Sequence, residues 1–277
     1  MSRTGPLLSS RISVDYPNRP GVLRDLALEI EPGEIVGLVG ESGSGKSTIA
    51  LAFLRLLGPK GAKVSGEVIF EGEDLLRKSE GQLRSIRGRR MSIVLQSPLT
   101  SLNPALRIRT QLSEAWRAHA EGSREQCGEA IRAALRSARL PDDDEFLSRR
   151  PAQLSVGQGQ RVSIAMAILH RPALLIADEA TSALDTITQS EILSLFRQLN
   201  HELEMAVLYI SHDLLSVATL CRRVAILYKG EIVEHGPTDR IFTAPRHPYA
   251  QRLLSAIPLV GTRKADEKAC DEETVSS

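Results

Sequence analysis

The sequence predicts an α/β protein with a parallel sheet, and two observations carry that prediction. Apolar runs of strand length, such as residues 35–39 and 174–178, alternate along the chain with stretches whose apolar residues recur at helical spacing. A glycine-rich loop, residues 40–48, connects the first of these strands to a helix-like segment. Strands that are joined by helices form parallel sheets, because each crossover returns the chain to the same end of the sheet.

The composition is that of a globular protein. The chain has 277 residues, of which 42% are hydrophobic, enough for one large domain or two smaller ones. Lys and Arg number 35 against 34 Asp and Glu, so no overall positive charge favours nucleic acid as a partner. The three cysteines, Cys127, Cys221 and Cys270, lack the spacing of a disulfide framework or a zinc site, and we expect free thiols.

No run of residues is apolar over the roughly 20 positions that a membrane-spanning helix needs. The first residues also lack the apolar centre of a signal peptide. We therefore expect a protein that stays in the cytoplasm.

The first hundred residues contain strands on both sides of the glycine-rich loop. Alternating or continuous apolar patterns bounded by Gly and Pro indicate them. The predicted strands cover residues 11–16, 22–30, 35–39, 66–72 and 91–95. The last of them ends at Gln96.

The middle of the chain changes character. From Ile108 to about residue 150, apolar residues recur at helical spacing without any β-rich run, which predicts a helical subdomain inserted at about 97–155. Ser155 is placed to cap a further helix that ends near Arg171.

The second half returns to alternating strands and helices. A buried strand ends in two acids, Asp178 and Glu179, and a helix from about 186 to 204 leads to the strand 206–210. Residues 224–228 and 231–234 predict a hairpin that turns at Gly230. The polar residues 261–277 predict a disordered tail.

The glycine-rich loop fits the phosphate-binding pattern GxxxxGK[ST]. Its residues are Gly40, Glu41, Ser42, Gly43, Ser44, Gly45, Lys46, Ser47 and Thr48. Glycines let successive backbone N–H groups turn inward around a triphosphate, and the helix N-terminus adds a favourable dipole. Lys46 is expected to reach the β and γ phosphates and Ser47 to bind Mg²⁺. A plain glycine-rich turn is the alternative, which the adjacent Lys-Ser pair and both flanking elements disfavour.

Further motifs follow this loop in a characteristic order. They are Gln96, the Leu-Ser-Val-Gly-Gln run at 154–158, Ala-Asp-Glu at 177–179, Ser-Ala-Leu-Asp at 182–185 and His212. In order and spacing they resemble the ATP-binding subunit of ABC transporters, over about residues 8–258. Segments 96–104 and 247–258 further resemble the branch that imports oligopeptides, dipeptides and nickel.

The resemblance implies a P-loop (RecA-like) nucleotide-binding core with an antiparallel β subdomain, an inserted helical subdomain and a short C-terminal extension. It places the ATPase domain at 8–236 and the extension at 237–260. It also implies ATP hydrolysis with Mg²⁺, at sites shared between two subunits on the cytoplasmic face of the inner or plasma membrane.

The implied partners follow from the same resemblance. They are two integral membrane permeases, a second ATPase subunit, identical or paralogous, and, indirectly, an extracytoplasmic solute-binding protein. No nucleic acid is expected.

The resemblance also implies roles for single residues, each with a physical basis. Asp178 would hold Mg²⁺ through its water shell, and Glu179 would polarise the water that attacks the γ-phosphate. His212 would orient the γ-phosphate and that water, and the Gln96 amide would meet both the metal shell and the water. Tyr16 lies where the family stacks an aromatic ring on adenine. The plainer alternatives are a buried acid pair, a structural histidine, a loop glutamine and a surface tyrosine.

The Leu-Ser-Val-Gly-Gln run differs from the usual family pattern. Ser155, Gly157 and Gln158 offer donors at a helix start, which in the family face the γ-phosphate held by the other subunit. Val156 replaces a usual glycine and cannot take a glycine-only backbone angle, and Gly159 replaces a common Arg or Lys. We expect these departures to affect the rate rather than the role.

Two other functions are weaker alternatives. A soluble ABC ATPase acting on nucleic acid or the ribosome usually carries two cassettes, a zinc-binding insertion or a long coiled coil, and the sequence has none of these. A regulatory module without hydrolysis would be expected to have lost Lys46 or Glu179, and both are present.

Overall fold

The computed structural model describes residues 5–97 and 101–255. The tail predicted to be disordered, Cys270 and part of the segment 96–104 lie outside these residues. Within the described ranges, no helix has both the length and the apolar character that crossing a membrane requires.

The strands of this described part form two sheets. In chain order they are β1 (Leu8–Tyr16), β2 (Arg19–Ile30), β3 (Ile35–Val39), β4 (Lys63–Phe70), β5 (Glu73–Asp74), β6 (Met91–Val94), β7 (Leu174–Asp178), β8 (Ala206–Ile210), β9 (Arg223–Tyr228) and β10 (Glu231–Pro237). The smaller sheet is antiparallel with the order β2-β1-β4-β5. The larger sheet has the order β10-β9-β3-β8-β7-β6, and all of its strands run parallel except the edge strand β10.

Helices connect the parallel strands. They are α1 (Lys46–Phe53), α2 (Glu80–Arg84), α3 (Ile108–Arg117), α4 (Arg124–Ser137), α5 (Asp144–Ser148), α6 (Val156–Ile168), α7 (Thr186–Leu203), α8 (Leu214–Leu220), α9 (Thr238–Thr243) and α10 (Pro248–Ser255). Helix α1 lies on the face that packs against the smaller sheet, and α3, α4, α6 and α7 lie on the opposite face. The predicted α/β class, with its parallel sheet and an antiparallel sheet beside it, is therefore confirmed. Sequence patterns missed β5, α2, α8 and α9, because elements of two to seven residues are too short to show a period.

The central strands are buried on both faces. In β7, Leu174 and Ile176 belong to the core shared with α1 and the antiparallel sheet. Leu175 and Ala177 belong to a second core, to which α3, α4, α6 and α7 contribute. Burial on both faces explains why these strands appear in the sequence as continuous apolar runs.

The sheet order determines which loops meet. Strands β3, β8, β7 and β6 are neighbours and run in the same direction, so their carboxyl ends lie along one edge. The glycine-rich loop follows β3, His212 follows β8, Glu179 follows β7 and Gln96 follows β6. Ligands of open parallel sheets bind at this edge.

Candidate active site

A cavity of about 540 Å³ lies at the carboxyl edge of the larger sheet. Residues of the glycine-rich loop line it together with Tyr16 at the end of β1, Gln96 after β6 and Glu179 after β7. The structure therefore brings together, from four separate parts of the chain, side chains that the sequence predicts to act on one ligand.

Two glycines of the loop are required by its geometry. Gly45 precedes α1 with a left-handed φ of 111°, and a Cβ there would lie 2.8 Å from the Cδ2 atom of Leu23. A Cβ on Gly40 would lie 2.4 Å from the carbonyl oxygen of Leu227. Any side chain at these positions would push the loop away from the strands that support it.

Lys46 is buried at the floor of the cavity. Its Nζ donates hydrogen bonds to the carbonyl oxygens of Gly40 at 2.8 Å and Glu41 at 3.0 Å, and lies 3.9 Å from Oε1 of Glu179. Burial lowers the pKa of Lys46, whereas the negative charges of Glu179 and Asp178 act in the opposite direction. The loop thus holds an ammonium group in a partly desolvated place, where it attracts a phosphate strongly.

Asp178 is a buried acid at the end of β7 that could hold a cation. Its carboxylate is buried, and its Oδ1 has no hydrogen-bond partner among the described residues. Burial raises the pKa of Asp178, and a hydrogen bond with Ser47 opposes that rise. A buried carboxylate oxygen without a partner is costly unless a ligand or its water shell fills the place. Together with the adjacent Ser47 hydroxyl, this oxygen set suits Mg²⁺.

Glu179 is held in a strained backbone conformation beside a histidine. Its φ is 50°, in the left-handed region that residues with a side chain rarely adopt, and its N–H donates to the carbonyl of Ile210 at 2.9 Å. Its Oε2 lies 3.3 Å from Nδ1 of His212, and its other carboxylate oxygen faces Lys46. Strain of this kind concentrates at functional sites, where it directs a side chain into a cavity.

Tyr16 and Arg19 lie together at one end of the cavity, and of these two only Tyr16 was predicted from the sequence. Tyr16 places its hydroxyl oxygen 3.4 Å from Oγ1 of Thr48, at the wall of the cavity. Arg19 pairs with Tyr16 across the hairpin between β1 and β2, and its Nη2 donates to the carbonyl of Gly43 at 3.3 Å. Arg19 also lines the cavity and adds a positive charge next to the loop.

The Ser-Val-Gly-Gln segment forms a helix start that is not part of the described lining of this cavity. Ser155 Oγ accepts from the N–H of Gln158 at 3.2 Å, and Gln158 Oε1 accepts from the N–H of Ser155 at 3.1 Å. This reciprocal capping box fixes the first turn of α6. Among the described residues that line the cavity, none belongs to 155–158. Ser155, Gly157 and Gln158 are therefore not joined to Lys46 within one chain.

Val156 is compatible with this helix start. It occupies the first position of α6, is 41% exposed and is not among the residues with a left-handed φ. Glycine at the next position matters more, because a Cβ on Gly157 would lie 2.8 Å from Cγ2 of Thr188. The backbone here does not require a glycine at 156.

Changing Val156 to glycine is expected to alter the rate of ATP hydrolysis by no more than about tenfold, or about 1.4 kcal/mol of activation free energy. The capping box and its donors stay in place, so only the exposed side chain and some helix propensity change. Steady-state phosphate release measures the effect, and Val156→Ala serves as the control that removes the side chain without the backbone freedom. A change of several orders of magnitude would show that the valine itself controls the site.

These features define a class of protein. The glycine-rich loop joins a strand to a helix that begins with a buried lysine, and an acid pair lies at the end of another strand of the same sheet, separated from the first by one strand. Together they form the site of a P-loop nucleotide-binding protein. The chain belongs to the ABC transporter family, because the sequence profile of that family matches residues 23–182. A second profile, of the oligopeptide/dipeptide transporter C-terminal region, matches residues 233–275. These matches confirm the family and the branch that the sequence predicts.

Known proteins of this kind are similar along most of the chain. The glutathione import ATP-binding proteins GsiA of Salmonella choleraesuis and Escherichia coli are each 43% identical over 248 residues. These matches cover 87% of this chain but 40% of each relative, so the chain spans well under half of their length.

Solved structures agree on the fold. The cbiO1 protein from Clostridium perfringens, described as part of the ABC transporter complex cbiONQ, has a TM-score of 0.75 at 24% identity, with 87% of this chain and 92% of that chain covered. The dimeric bacterial ABC transporter cassette MJ0796 has a TM-score of 0.72 at 28% identity, with 83% and 98% covered. The nucleotide-binding cassette that the resemblance implies is thus the fold of this chain.

Proposed function

We propose that the chain is the ATP-hydrolysing subunit of an ABC importer for peptides, nickel or related small solutes. The observation that carries this proposal is the cavity in which the phosphate-binding loop, Gln96 and Glu179 meet at the carboxyl edge of the sheet. The C-terminal match supports the importer branch, and the glutathione named for the GsiA relatives, a tripeptide, favours a peptide-like solute. The same matches disfavour the alternative of a soluble ATPase that acts on nucleic acid or the ribosome.

ATP would bind with its triphosphate in the loop and its base against Tyr16. The Lys46 ammonium would exchange the carbonyls of Gly40 and Glu41 for phosphate oxygens, which carry more negative charge. Ser47, Asp178 and Gln96 would hold Mg²⁺, which when bound neutralises phosphate charge. The Oδ1 of Asp178, which has no hydrogen-bond partner among the described residues, supports this metal assignment.

Hydrolysis would proceed by direct attack of water on the γ-phosphorus, without a covalent intermediate. The bond between that phosphorus and the bridging oxygen breaks, and ADP leaves with its negative charge near Lys46 and the loop N–H groups. Glu179 would polarise the water, and His212, with its Nδ1 3.3 Å from Glu179 Oε2, would orient the carboxylate and the γ-phosphate.

A second subunit, identical or paralogous, would complete each site with its own Ser155, Gly157 and Gln158. This segment is absent from the described lining of the cavity in its own chain, which supports the arrangement, as does the dimeric state of the MJ0796 cassette. We propose two membrane permeases as further partners, with an extracytoplasmic solute-binding protein acting through them. The subunit would then work at the cytoplasmic face of the inner or plasma membrane.

Removal of divalent metal tests the proposed chemistry. Purified protein is expected to release phosphate from ATP with Mg²⁺ present and to lose at least about tenfold of that rate when EDTA is added, with recovery on adding excess Mg²⁺. The Asp178→Asn variant should need a higher Mg²⁺ concentration for hydrolysis, because the amide lacks the negative charge of the carboxylate that would hold the metal. Hydrolysis that continues unchanged in EDTA would contradict the assigned site.

The importer assignment needs a separate measurement. Membrane vesicles that carry the permeases and the solute-binding protein should accumulate a labelled dipeptide only when they also contain this chain and ATP. Capture of the chain by ribosomes, with no binding to such vesicles, would favour the alternative function.

A further inference from the structure

The C-terminal helix α10 makes direct contact with the phosphate-binding loop. The hydroxyl of Tyr249 accepts a hydrogen bond from the N–H of Glu41 at 3.1 Å, across 208 positions of sequence. Tyr249 is not among the described residues that line the 540 Å³ cavity. It lines a neighbouring cavity of about 640 Å³, formed by the outer side of the loop, the turn after β9 and α10. The contact therefore supports the loop from outside the nucleotide site.

The sequence before Tyr249 fixes where α10 begins. The buried carboxylate of Glu234 in β10 accepts hydrogen bonds from the backbone N–H groups of Arg246 and His247, each at 2.9 Å. His247 Nδ1 in turn accepts from the N–H of Tyr249 at 3.1 Å. Pro248 occupies the first helical position, where the missing N–H costs nothing. The His-Pro-Tyr sequence thus anchors the helix start to the larger sheet.

The ring of Tyr249 is fixed by burial and by stacking. It is 3% exposed and stacks on Tyr228, the last residue of β9, with ring centroids 4.0 Å apart. The Nζ of Lys229 lies 5.1 Å from the centre of the Tyr228 ring on the same turn. Burial raises the pKa of Tyr249, so its side chain remains a neutral hydroxyl. A rigid ring of this kind presents its hydroxyl with little loss of conformational freedom.

Glu41 connects this contact to the catalytic lysine. Its N–H is bound by Tyr249, and its carbonyl oxygen accepts from Lys46 Nζ at 3.0 Å. Without the tyrosine hydroxyl, the Glu41 N–H would have no partner among the described residues, and the first turn of the loop would be free to move. If the loop occupies its binding geometry for only a fraction of the time, the apparent Kd for its ligand equals the intrinsic Kd divided by that fraction.

We propose that Tyr249 is a positioning residue for nucleotide binding, through which helix α10 holds the phosphate-binding loop in the geometry that accepts a triphosphate. The inference rests on the proposed ATP-binding function and extends it to the C-terminal region. Tyr249 acts on the loop and not on the reacting atoms, so its loss changes affinity more than the rate at saturation.

Tyr249→Phe tests the proposal, because it deletes the hydroxyl and keeps the ring. Tyr228→Phe is the matched control, since Tyr228 contributes the stacked ring but no hydroxyl contact with the described part of the chain. In nucleotide-free protein, amide hydrogen exchange at Glu41, followed by NMR, should be about three- to tenfold faster in Tyr249→Phe and unchanged in the control.

Nucleotide binding gives a second readout. The Kd for Mg²⁺ with a non-hydrolysable ATP analogue should rise about three- to tenfold in Tyr249→Phe, while kcat at saturating ATP stays within about twofold. A purely structural role would lower the melting temperature of the variant and leave the Kd of the folded protein unchanged.

The two proposals fail in different ways. If wild-type protein does not bind the analogue, the proposed function is wrong, and exchange at Glu41 still decides whether Tyr249 anchors the loop. If wild-type protein binds, but Tyr249→Phe matches Tyr228→Phe in both Glu41 exchange and Kd, the positioning role is overturned.

Discussion

Replacing Glu179 by glutamine is expected to lower the rate of ATP hydrolysis by about 10²- to 10⁴-fold and to leave nucleotide affinity within about threefold of wild type. Glutamine has the size of glutamate and keeps a polar group between Lys46 and His212, but it has no negative charge with which to polarise water. Lys46, which makes the ground-state contacts to phosphate in our account, is unchanged. Binding and turnover should therefore separate in this variant.

Two measurements establish that separation. Isothermal titration with a non-hydrolysable ATP analogue gives the affinity, and phosphate release gives the turnover. Glu129→Gln is a suitable control, because Glu129 is exposed on α4 and carries the same charge change outside the cavity lining. If Glu179→Gln hydrolysed ATP at the wild-type rate, Glu179 would not be a catalytic residue.

The residues that could be predicted from the sequence are those fixed by local pattern. The phosphate-binding loop is determined by nine consecutive residues between a strand and a helix, and the helix cap at Ser155 depends only on the residues next to it. Asp178 and Glu179 follow a run of apolar residues long enough for one buried strand. The structure of such features is determined mostly by residues that are adjacent in the sequence.

Other features depend on contacts that no local pattern contains. Arg19 reaches the loop only because the hairpin between β1 and β2 pairs it with Tyr16. The contact of Tyr249 with Glu41 depends on how β9, β10 and α10 pack beside the loop. Long-range packing decides such pairs, so sequence spacing could not indicate them.

Lys46→Ala and Ser155→Arg should each be inactive alone, for different reasons. Lys46→Ala loses the ammonium that binds phosphate, with its two hydrogen bonds to the loop. Ser155→Arg breaks the capping box and puts a positive charge at a helix N-terminus, where it is unfavourable. Ser123→Arg is the matched control, because Ser123 and Gln126 form the same capping box at the start of α4. We expect Ser123→Arg to keep hydrolysis within a few-fold of wild type, at a cost of about 1 kcal/mol of stability.

Mixing the two inactive proteins tests the shared site most directly. At a concentration where the wild-type chain alone hydrolyses ATP, equal amounts of Lys46→Ala and Ser155→Arg should form mixed dimers. In each mixed dimer, the intact loop of one chain faces the intact Ser155 segment of the other. The mixture should recover up to about a quarter of wild-type activity, since about half of the dimers are mixed and one of their two sites is complete. A mixture that remains inactive, while wild type is active under the same conditions, would contradict a site built from two chains.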